Sequence, residues 1–200
     1  MKITATDLPG VLVVEPAAFE DERGWFMESW SQPRFDAALA AAGQPPARFV
    51  QDNHSCSHAG VLRGLHYQLP PQAQGKLVRV VKGAVYDVAV DLRRGAASFG
   101  RWVGVELSAA NRRQLWIPPG YAHGFLALED DSHFLYKTTD VYARDCERAI
   151  RWNDAAIAIA WPALPGGAAP RLAAKDAVAP VLAEAEVFQA SALPQARWSP

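Results

Sequence analysis

The chain has 200 residues and a formal net charge of −1, with 20 Lys plus Arg against 21 Asp plus Glu. Half of its residues are hydrophobic, which is enough apolar material for a core and excludes disorder as the main state. The balanced charge lacks the basic excess with which proteins hold DNA or RNA, so no nucleic-acid partner is expected. The length predicts a single domain.

The N-terminus and the cysteines give expectations about the compartment. The opening residues MKITATDLPG lack the continuous apolar stretch of a signal peptide, and no run of about 18 apolar residues predicts a membrane span. Cys56 and Cys146 have neither the number for a disulfide framework nor the spacing of a metal-ligand cluster. We therefore expect a cytoplasmic globular protein that acts on a small molecule and has no membrane partner.

The first clear element in chain order is a helix that follows residue 30. Ser31 is a candidate N-cap, Pro33 lies in the first turn, and Phe35 and Leu39 fall on one face together with two alanines. Gly43, which two prolines follow closely, is expected to end the helix. Because a helix of about three turns is marginal by itself, we expect it to pack on a larger structure.

Short strands separated by turn residues are predicted through the middle of the chain. They cover residues 77–81, 84–92, 102–107, 115–117, 123–128 and 133–138. In the second of these, apolar residues alternate with Asp87, Ala89 and Asp91, which is the period of a half-buried strand. The last two resemble a hairpin around the acidic residues 129–131. The pattern predicts an all-β fold, an antiparallel sandwich or barrel with a few short helices.

The strand pattern ends near Trp161. Residues 163–200 are rich in Pro, Gly and Ala, so we expect an irregular C-terminal surface arm after a core that spans about residues 7–162. Residues 182–188 are a candidate for one last short element. No internal repeat or domain boundary is evident, so all 200 residues are assigned to one domain.

Two histidine segments contain the residues with catalytic potential. His66 lies in RGLHYQ and His123 in PPGYAHGF, and both segments are similar to the metal-binding strands of cupins. Gln68 stands two residues after His66, where a metal cupin has a ligand, and a neutral amide is a poor substitute, so no metal is expected. Without a metal, His66 is a candidate general base, with Tyr136 as a candidate acid and Lys76 as a cation that stabilises an enolate.

Segments along nearly the whole chain, from about residue 7 to 188, resemble the dTDP-4-dehydrorhamnose 3,5-epimerase family. They include FEDERGWFME (19–28), FVQDNHS (49–55), LRGLHYQ (62–68), QGKLVRV (74–80), IPPGYAHGF (117–125), YKTTDVY (136–142), WND (152–154) and KD (175–176). The resemblance implies a jelly-roll (cupin-like) β fold, a homodimer that exchanges N-terminal strands, and no metal or organic cofactor. It also implies inversion of C3 and C5 of dTDP-4-dehydro-6-deoxy-D-glucose, where both carbons are α to the C4 ketone.

The resemblance also implies a role for each matching residue. His66 corresponds to the base that removes the α-proton, Asp176 to the carboxylate that orients its imidazole, Tyr136 to the acid that returns a proton, and Lys76 to the cation beside the C4 oxygen. Residues that correspond to substrate contacts are Arg23, Arg63 and Lys175 around the diphosphate, Glu28, Gln51, Asp52 and Asn53 on the thymidine and phosphate side, His123 and Glu147 elsewhere in the cleft, and Phe19, Phe26 and Tyr142 around the thymine ring. Tyr136 and Tyr142 are expected on one face of a strand.

The sequence departs from the family pattern beside Asp176, where Ala174 replaces an expected acidic residue. Asp154 is therefore an alternative partner of His66. Three alternative functions also stay open at this point. They are an epimerase that inverts only C3 or only C5, a metal-dependent cupin oxygenase with a metal bound through His66 and His123, and a catalytically inactive nucleotide-sugar binding module.

Overall fold

A computed structural model describes residues 1–189, so residues 190–200 of the predicted C-terminal arm lie outside the described residues. The strands are β1 (Lys2–Ala5), β2 (Leu12–Glu15), β3 (Ala18–Asp21), β4 (Gly24–Met27), β5 (Gln51–Ser57), β6 (Leu62–Gln68), β7 (Lys76–Lys82), β8 (Ala84–Asp91), β9 (Arg93–Arg94), β10 (Trp102–Ser108), β11 (Gln114–Ile117), β12 (Tyr121–Ala127), β13 (Ser132–Thr138), β14 (Glu147–Ala149) and β15 (Phe188–Gln189). The α-helices are α1 (Gln32–Ala41) and α2 (Ala174–Ala177). Among residues 1–189, no helix has the length and apolar content needed to cross a bilayer.

Two antiparallel sheets form the body of the fold. One has six strands in the order β1-β2-β11-β7-β13-β5, and the other has five in the order β10-β8-β12-β6-β14. The hairpin β3–β4 and the parallel pair β9–β15 lie outside both sheets. The all-β, jelly-roll class predicted from the sequence is thereby confirmed.

The core between the two sheets contains the inward-facing residues of the alternating strands. Val78 and Phe134 from the six-stranded sheet lie in one buried cluster with Val85, Leu107 and Phe125 from the five-stranded sheet. Each is almost fully buried, and burial of such a side chain contributes about 1.5–3 kcal/mol. This apolar layer packs the two sheets against each other and supports the polar site that lies beside it.

The predicted helix is confirmed as α1, and it covers the outer face of the six-stranded sheet. Phe35 and Leu39 are fully buried there in a cluster with Leu12 and Trp116. The rings of Phe35 and Trp116 meet edge to face, with centroids 5.4 Å apart. Ser31 stands at the N-cap position, but its side chain makes no capping hydrogen bond, and the helix begins with the Phe35 N–H donating to the Ser31 carbonyl at 2.9 Å. The capping role predicted for the Ser31 hydroxyl is therefore wrong.

The predicted hairpin around residues 129–131 is also wrong, because its two strands belong to different sheets. Strand β12 pairs with β6 and β8, whereas β13 pairs with β5 and β7. The acidic turn carries the chain from one sheet to the other. The rings of Phe125 on β12 and Phe134 on β13 stack across the sandwich with centroids 4.3 Å apart. The two strands are thus neighbours between layers and not within a sheet.

Strand β8 is buried on both faces, which corrects the prediction of a half-buried strand. The C-terminal segment covers one face, where Val88 and Val90 pack in a cluster with Phe188. On the other face Asp87 and Asp91 have no exposed surface. Buried carboxylates need partners, and these two contact His123 and Arg93 respectively. The alternating polar residues of this strand therefore lie in two buried polar sites and not on a solvent-exposed face.

The segment after Trp161 is irregular, as predicted, but it is not merely a surface arm. The Arg171 N–H donates to the Gly60 carbonyl at 2.8 Å, and the Leu62 N–H donates to the Arg171 carbonyl at 2.9 Å. Further along, Leu182 and Phe188 are buried against the five-stranded sheet. These contacts fix the short helix α2 at the rim of the sandwich, above strand β6.

Candidate active site

A cavity of about 530 Å³ opens between the two sheets, a size typical of small-molecule sites. The predicted site residues that line it are Asn53, Arg63, His66, Lys76, His123, Tyr136, Glu147, Lys175 and Asp176. All four predicted catalytic residues are in this set. The remaining predicted contacts, which lie elsewhere, are described below.

His66 on β6 is bound to a carboxylate that comes from the far end of the chain. Its Nε2 lies 2.7 Å from Oδ1 of Asp176 on α2, and Asp176 is 1% exposed. Burial would raise the pKa of Asp176, but the hydrogen bond and charge of His66, together with the Gly64 N–H and the charge of Lys175, hold that pKa below its ordinary value. The carboxylate therefore stays ionised, fixes the imidazole ring, and leaves Nδ1 as the ring nitrogen that can accept a proton.

A close approach of two glycines supports this pair. The Gly64 N–H donates to the second oxygen of Asp176 at 3.3 Å. Gly64 has a φ of +133°, and a Cβ there would lie 2.6 Å from the Cα of Gly124 on the neighbouring strand. Only glycine fits this backbone without strain. The Arg-Gly-Leu-His segment thus needs its glycine for the geometry that carries His66.

Asp154, the alternative partner of His66, has a different role. Its carboxylate accepts backbone N–H groups of Ala156 at 2.7 Å and Leu182 at 2.5 Å, and it is 4% exposed. It organises the loop that follows β14. The geometry therefore favours Asp176 as the dyad partner.

Tyr136 and Lys76 lie on the opposite wall from His66. Both belong to the six-stranded sheet, where Tyr136 on β13 is paired with Val78 and Lys76 begins β7. Burial raises the pKa of the Tyr136 hydroxyl, which keeps it protonated at neutral pH. Burial lowers the pKa of Lys76 to about 8, against the opposing pull of Asp87 and other acidic groups. The cavity thus has a proton donor and a desolvated ammonium facing a carboxylate-bound histidine.

His123 forms a second histidine–carboxylate pair with Asp87, a residue that sequence reasoning did not assign to the site. His123 is the direct cross-strand neighbour of His66, and its Nε2 lies 2.9 Å from Oδ2 of Asp87 on β8. Burial raises the pKa of Asp87 and lowers that of His123. The segment of residues 83–91 resembles the family, but sequence reasoning gave no role to Asp87, a carboxylate on the otherwise apolar strand β8.

Glu147 and Lys175 face each other at the mouth of the cavity. The Lys175 Nζ lies 2.7 Å from Glu147 Oε1, and the Tyr142 hydroxyl donates to Glu147 Oε2 at 3.1 Å. Burial would raise the pKa of Glu147, but the hydrogen bond and charge of Lys175, together with the Tyr142 hydroxyl and His66, hold that pKa below its ordinary value. Strand β13 ends at Thr138, so Tyr142 does not share a strand face with Tyr136, and that prediction is wrong.

The predicted residues on edge strand β5 divide between its two faces. Asn53 pairs directly with Tyr136 and lines the cavity. Gln51 lies two residues before Asn53 on the strand, and its Nε2 donates to Asn53 Oδ1 at 3.0 Å. Asp52 points to the other face, where it forms an ion pair with Lys137 at 2.8 Å. The period of two along a strand accounts for this separation.

The family model for dTDP-4-dehydrorhamnose 3,5-epimerase matches residues 5–184. The chain belongs to this family. A relative from Pseudomonas aeruginosa, named dTDP-4-dehydrorhamnose 3,5-epimerase, is 53% identical over 188 residues, which are 94% of this chain and 99% of the relative.

Solved structures with the same fold include one with a bound sugar nucleotide. The dTDP-6-deoxy-D-glucose-3,5-epimerase of Legionella pneumophila, in complex with dTDP-4-keto-L-rhamnose, is 45% identical. It has a TM-score of 0.87, covering 94% of this chain and 97% of its own. A 3'-monoepimerase from Streptomyces bikiniensis, in complex with dTDP-quinovose, is 33% identical, with a TM-score of 0.79 over 89% of this chain and 86% of its own.

The N-terminal segment is part of the region that matches the dTDP-4-dehydrorhamnose 3,5-epimerase family model. The substrate-contact residues predicted in this segment, however, do not line the cavity of this chain. Phe19 and Phe26 on the β3–β4 hairpin are 67% and 70% exposed. Arg23, in the turn of that hairpin, donates its Nε–H to Asp21 at 3.2 Å, and Glu28 lies 3.4 Å from Arg34. Within one chain, these residues are not brought to the cleft.

The cavity also contains residues that the sequence did not single out for it. Arg171 adds a cation to its rim, and Phe125 and Phe134 supply an apolar surface. His54 lines the edge of the opening. Arg171 lies in the Pro- and Ala-rich segment, where composition gives no sign of function, so only its place in the fold identifies it.

Proposed function

We propose that this epimerase-family member converts dTDP-4-dehydro-6-deoxy-D-glucose into dTDP-4-dehydro-L-rhamnose by inverting C3 and C5. The observation that carries the proposal is that a carboxylate-bound histidine and a protonated tyrosine project from opposite sheets into one cavity. Inversion of a carbon requires removal of a proton from one face and its return to the other, and this arrangement provides a group for each face.

In the proposed first step, His66 removes the proton from the carbon next to the C4 ketone. The electron pair of that C–H bond forms a double bond between this carbon and C4, and the π electrons of the ketone move to the C4 oxygen, which becomes an enolate oxygen. Asp176 stabilises the imidazolium that forms, because an ionised carboxylate strengthens its hydrogen bond to a charged ring.

Lys76 is proposed to stabilise the developing enolate, and His123 is proposed as a further substrate contact near it. Lys76 is 8% exposed, and a fixed positive charge in such a water-poor site lowers the energy of an oxyanion more than it would in water. Asp87 holds His123 beside it through the Nε2 contact. One such donor is worth about 10²–10³ in turnover.

Tyr136 is proposed to return a proton to the opposite face of the same carbon. Its raised pKa keeps the proton on the hydroxyl at neutral pH, so the donor is in the correct state before reaction. Once His66 has released its proton to solvent and Tyr136 has regained one from solvent, the same cycle at the second α-carbon inverts C5 as well as C3.

Cations at the cavity mouth are proposed to bind the diphosphate. Arg63 and Lys175 line the opening together with Arg171, and guanidinium groups bind phosphate oxygens through forked donors. Glu147 holds Lys175 in place through their ion pair. The residues proposed for the thymidine side are Glu28, Gln51, Asp52, Asn53, Phe19, Phe26 and Tyr142.

We also propose a homodimer that exchanges the β3–β4 hairpin. Phe19, Trp25 and Phe26 leave a large apolar surface exposed on this hairpin, which pairs with no other strand among residues 1–189. Strand β5 is an edge of the six-stranded sheet and borders the cavity. A partner's hairpin beside this edge would cover the exposed rings and bring Arg23 to the neighbouring cleft.

Complementation of two inactive variants tests the exchange. If the hairpin serves the partner's cleft, chains with Arg23→Ala and chains with His66→Ala regain about a quarter of wild-type activity after they are mixed, unfolded and refolded together, since each heterodimer has one intact site. If the hairpin serves its own cleft, no activity returns. Size-exclusion chromatography with light scattering establishes the mass of each preparation.

Proton exchange in D2O tests the reaction itself. With dTDP-4-dehydro-6-deoxy-D-glucose as substrate, we expect deuterium at both C3 and C5 by NMR. His66→Ala should remove this exchange and leave dTDP affinity within a few-fold of wild type. A wild-type protein that binds dTDP without any exchange would instead be an inactive binding module.

An epimerase of one carbon is the second candidate, because a 3'-monoepimerase has the same fold at 33% identity. Deuterium at only one of the two carbons would establish that function.

Metal analysis tests the alternative of a cupin oxygenase. Stoichiometric iron or manganese in the wild-type protein, lost in a His66→Ala, His123→Ala variant, would replace the epimerase assignment. The expected cytoplasmic location is supported by two cysteines that remain free thiols, and fractionation of the source cells tests it.

A further inference from the structure

A second group of reactive side chains lies on the outer face of the six-stranded sheet, separate from the pairs described in the cleft. Cys56 on β5, Asp131 in the turn before β13, and His133 on β13 each present a ligand atom, and these three atoms lie within 4.8 Å of one another. We propose that this triad binds one zinc ion.

The distances between the ligand atoms fit a tetrahedral metal. Oδ1 of Asp131 lies 3.0 Å from the Cys56 Sγ and 3.3 Å from the His133 Nε2. Zinc bonds of about 2.3 Å to sulfur and about 2.0–2.1 Å to nitrogen and oxygen separate neighbouring ligand atoms by roughly 3.3–3.6 Å. The third separation, between the Cys56 and His133 ligand atoms, is at most 4.8 Å, so an ion at the centre requires these two atoms to approach by up to about 1.2 Å.

Two further side chains hold the ligands from behind. His54 Nε2 lies 3.0 Å from His133 Nδ1, the ring nitrogen that does not face Asp131. Lys82 contacts Asp131 through Oδ2, which leaves Oδ1 directed at the cysteine and the histidine. Such outer contacts set the orientation of ligating imidazoles and carboxylates in metal sites.

The type of ligand selects the class of metal. A thiolate with an imidazole and a carboxylate suits Zn²⁺ or Co²⁺, whereas Mg²⁺ and Ca²⁺ require oxygen ligands. The side chains of Asp131 and His133 are 51% and 31% exposed, so an ion has access from solvent and water completes its fourth position. On binding, the Cys56 thiol releases its proton to solvent as the metal–sulfur bond forms.

Sequence spacing did not predict this group, and the two cysteines were expected to belong to no metal-ligand cluster. Asp131 is 75 residues away from Cys56 in the chain, and the pairing of β5 with β13 brings the two together. Metal-ligand motifs in a sequence are local, whereas this triad depends on the register of two strands.

Cobalt absorption tests the proposal on the full-length protein after removal of metals with a chelator. We expect one Co²⁺ per chain, with a thiolate-to-cobalt charge-transfer band and the visible bands of tetrahedral cobalt, both abolished by Zn²⁺. Cys56→Ser should remove the charge-transfer band. Cys146→Ser, a change at the buried second cysteine, should leave it intact. His54→Ala keeps all three ligands and should weaken binding by about 10–100-fold.

A second measurement does not depend on the folding of any variant. Zn²⁺ should protect Cys56 of the wild-type protein from alkylation, as read by mass spectrometry of the peptide. The proposal is overturned if cobalt gives no thiolate band, if alkylation proceeds equally with and without Zn²⁺, or if binding persists in Cys56→Ser and is lost in His66→Ala. None of these readouts uses epimerase activity, so failure of this site and failure of the proposed function are distinguishable.

Discussion

Replacement of Lys76 by methionine should make the folded protein more stable and the enzyme much less active. The ammonium of Lys76 is almost fully buried, and its Nζ donates one long hydrogen bond, 3.4 Å, to the His66 carbonyl. Methionine has a similar length and volume without a charge, so it removes the desolvated ammonium and leaves the surrounding packing nearly unchanged.

The magnitude follows from the pKa of Lys76. Burial lowers it from 10.5 to about 8, which corresponds to about 3 kcal/mol against the charged form in the folded chain. Loss of the hydrogen bond to His66 takes back about 1 kcal/mol. The variant should therefore gain about 2 kcal/mol at pH 7, or about 4–8 °C in Tm.

The stability gain of Lys76→Met depends on pH in a defined window. Below pH 8 both the folded and the unfolded wild type hold the Lys76 proton, so the penalty is fully present. Between about pH 8 and 10.5 the unfolded chain binds more protons than the folded one, so wild-type stability rises relative to the variant. The advantage of Lys76→Met should thus shrink through this range and disappear above it.

Thermal and urea unfolding at several pH values, together with turnover by NMR, measure both effects. We expect kcat to fall by about 10²–10³, the amount typical of one oxyanion-stabilising donor. Lys2→Met is a control, since the Lys2 side chain is 75% exposed and its loss should change stability by less than about 0.5 kcal/mol. A Lys76→Met protein that is less stable than wild type at pH 7, or whose advantage is independent of pH, would refute the reasoning.

Three further predictions concern the dyad, the close backbone approach and the proton donor. Asp176→Asn should lower kcat by about 10²–10⁴. Its control, Asp154→Asn, should lower the unfolding temperature with little change in kcat of the folded enzyme. Equal losses of turnover in the two variants would contradict the dyad assignment. Gly64→Ala should destabilise by roughly 3 kcal/mol or more in urea, but Gly166→Ala, also at positive φ with no atom within 4 Å of the added carbon, by only about 1 kcal/mol. Tyr136→Phe should retain deuterium exchange into the substrate and form epimerised product at least about 10²-fold more slowly, and unchanged product formation would rule out its role as donor.

Much of the local structure could be predicted because its signals lie within a few residues. The apolar face of Phe35 and Leu39 identified α1, and alternation identified β8 and β10. The sheet to which each strand belongs could not be predicted in this way. The turn at 129–131 has the composition of a hairpin turn, but the stacking of Phe125 on Phe134 puts the flanking strands in separate layers.

The residues of the site likewise separate into those that local sequence identifies and those that only the fold identifies. His66, Lys76 and Tyr136 were found from the sequence because each lies in a distinctive segment that resembles one family. The choice of Asp176 over Asp154, and the pairing of Asp87 with His123, required the fold, since Asp176 is 110 residues away from His66 along the chain. Similarly, the separation of Asn53 from Asp52 requires knowledge of which face of β5 meets the cavity.

By itself, the sequence determined the class of fold, most elements, and which side chains have the chemistry for proton transfer. Backbone preference and side-chain period are properties of neighbouring residues, so a single chain displays them directly. The tertiary structure alone decided the partner of each histidine, the burial of Asp87, and the meeting of Cys56 with Asp131 and His133. Those contacts join residues far apart in the chain, and they form only when the two sheets pack and the strands take one register.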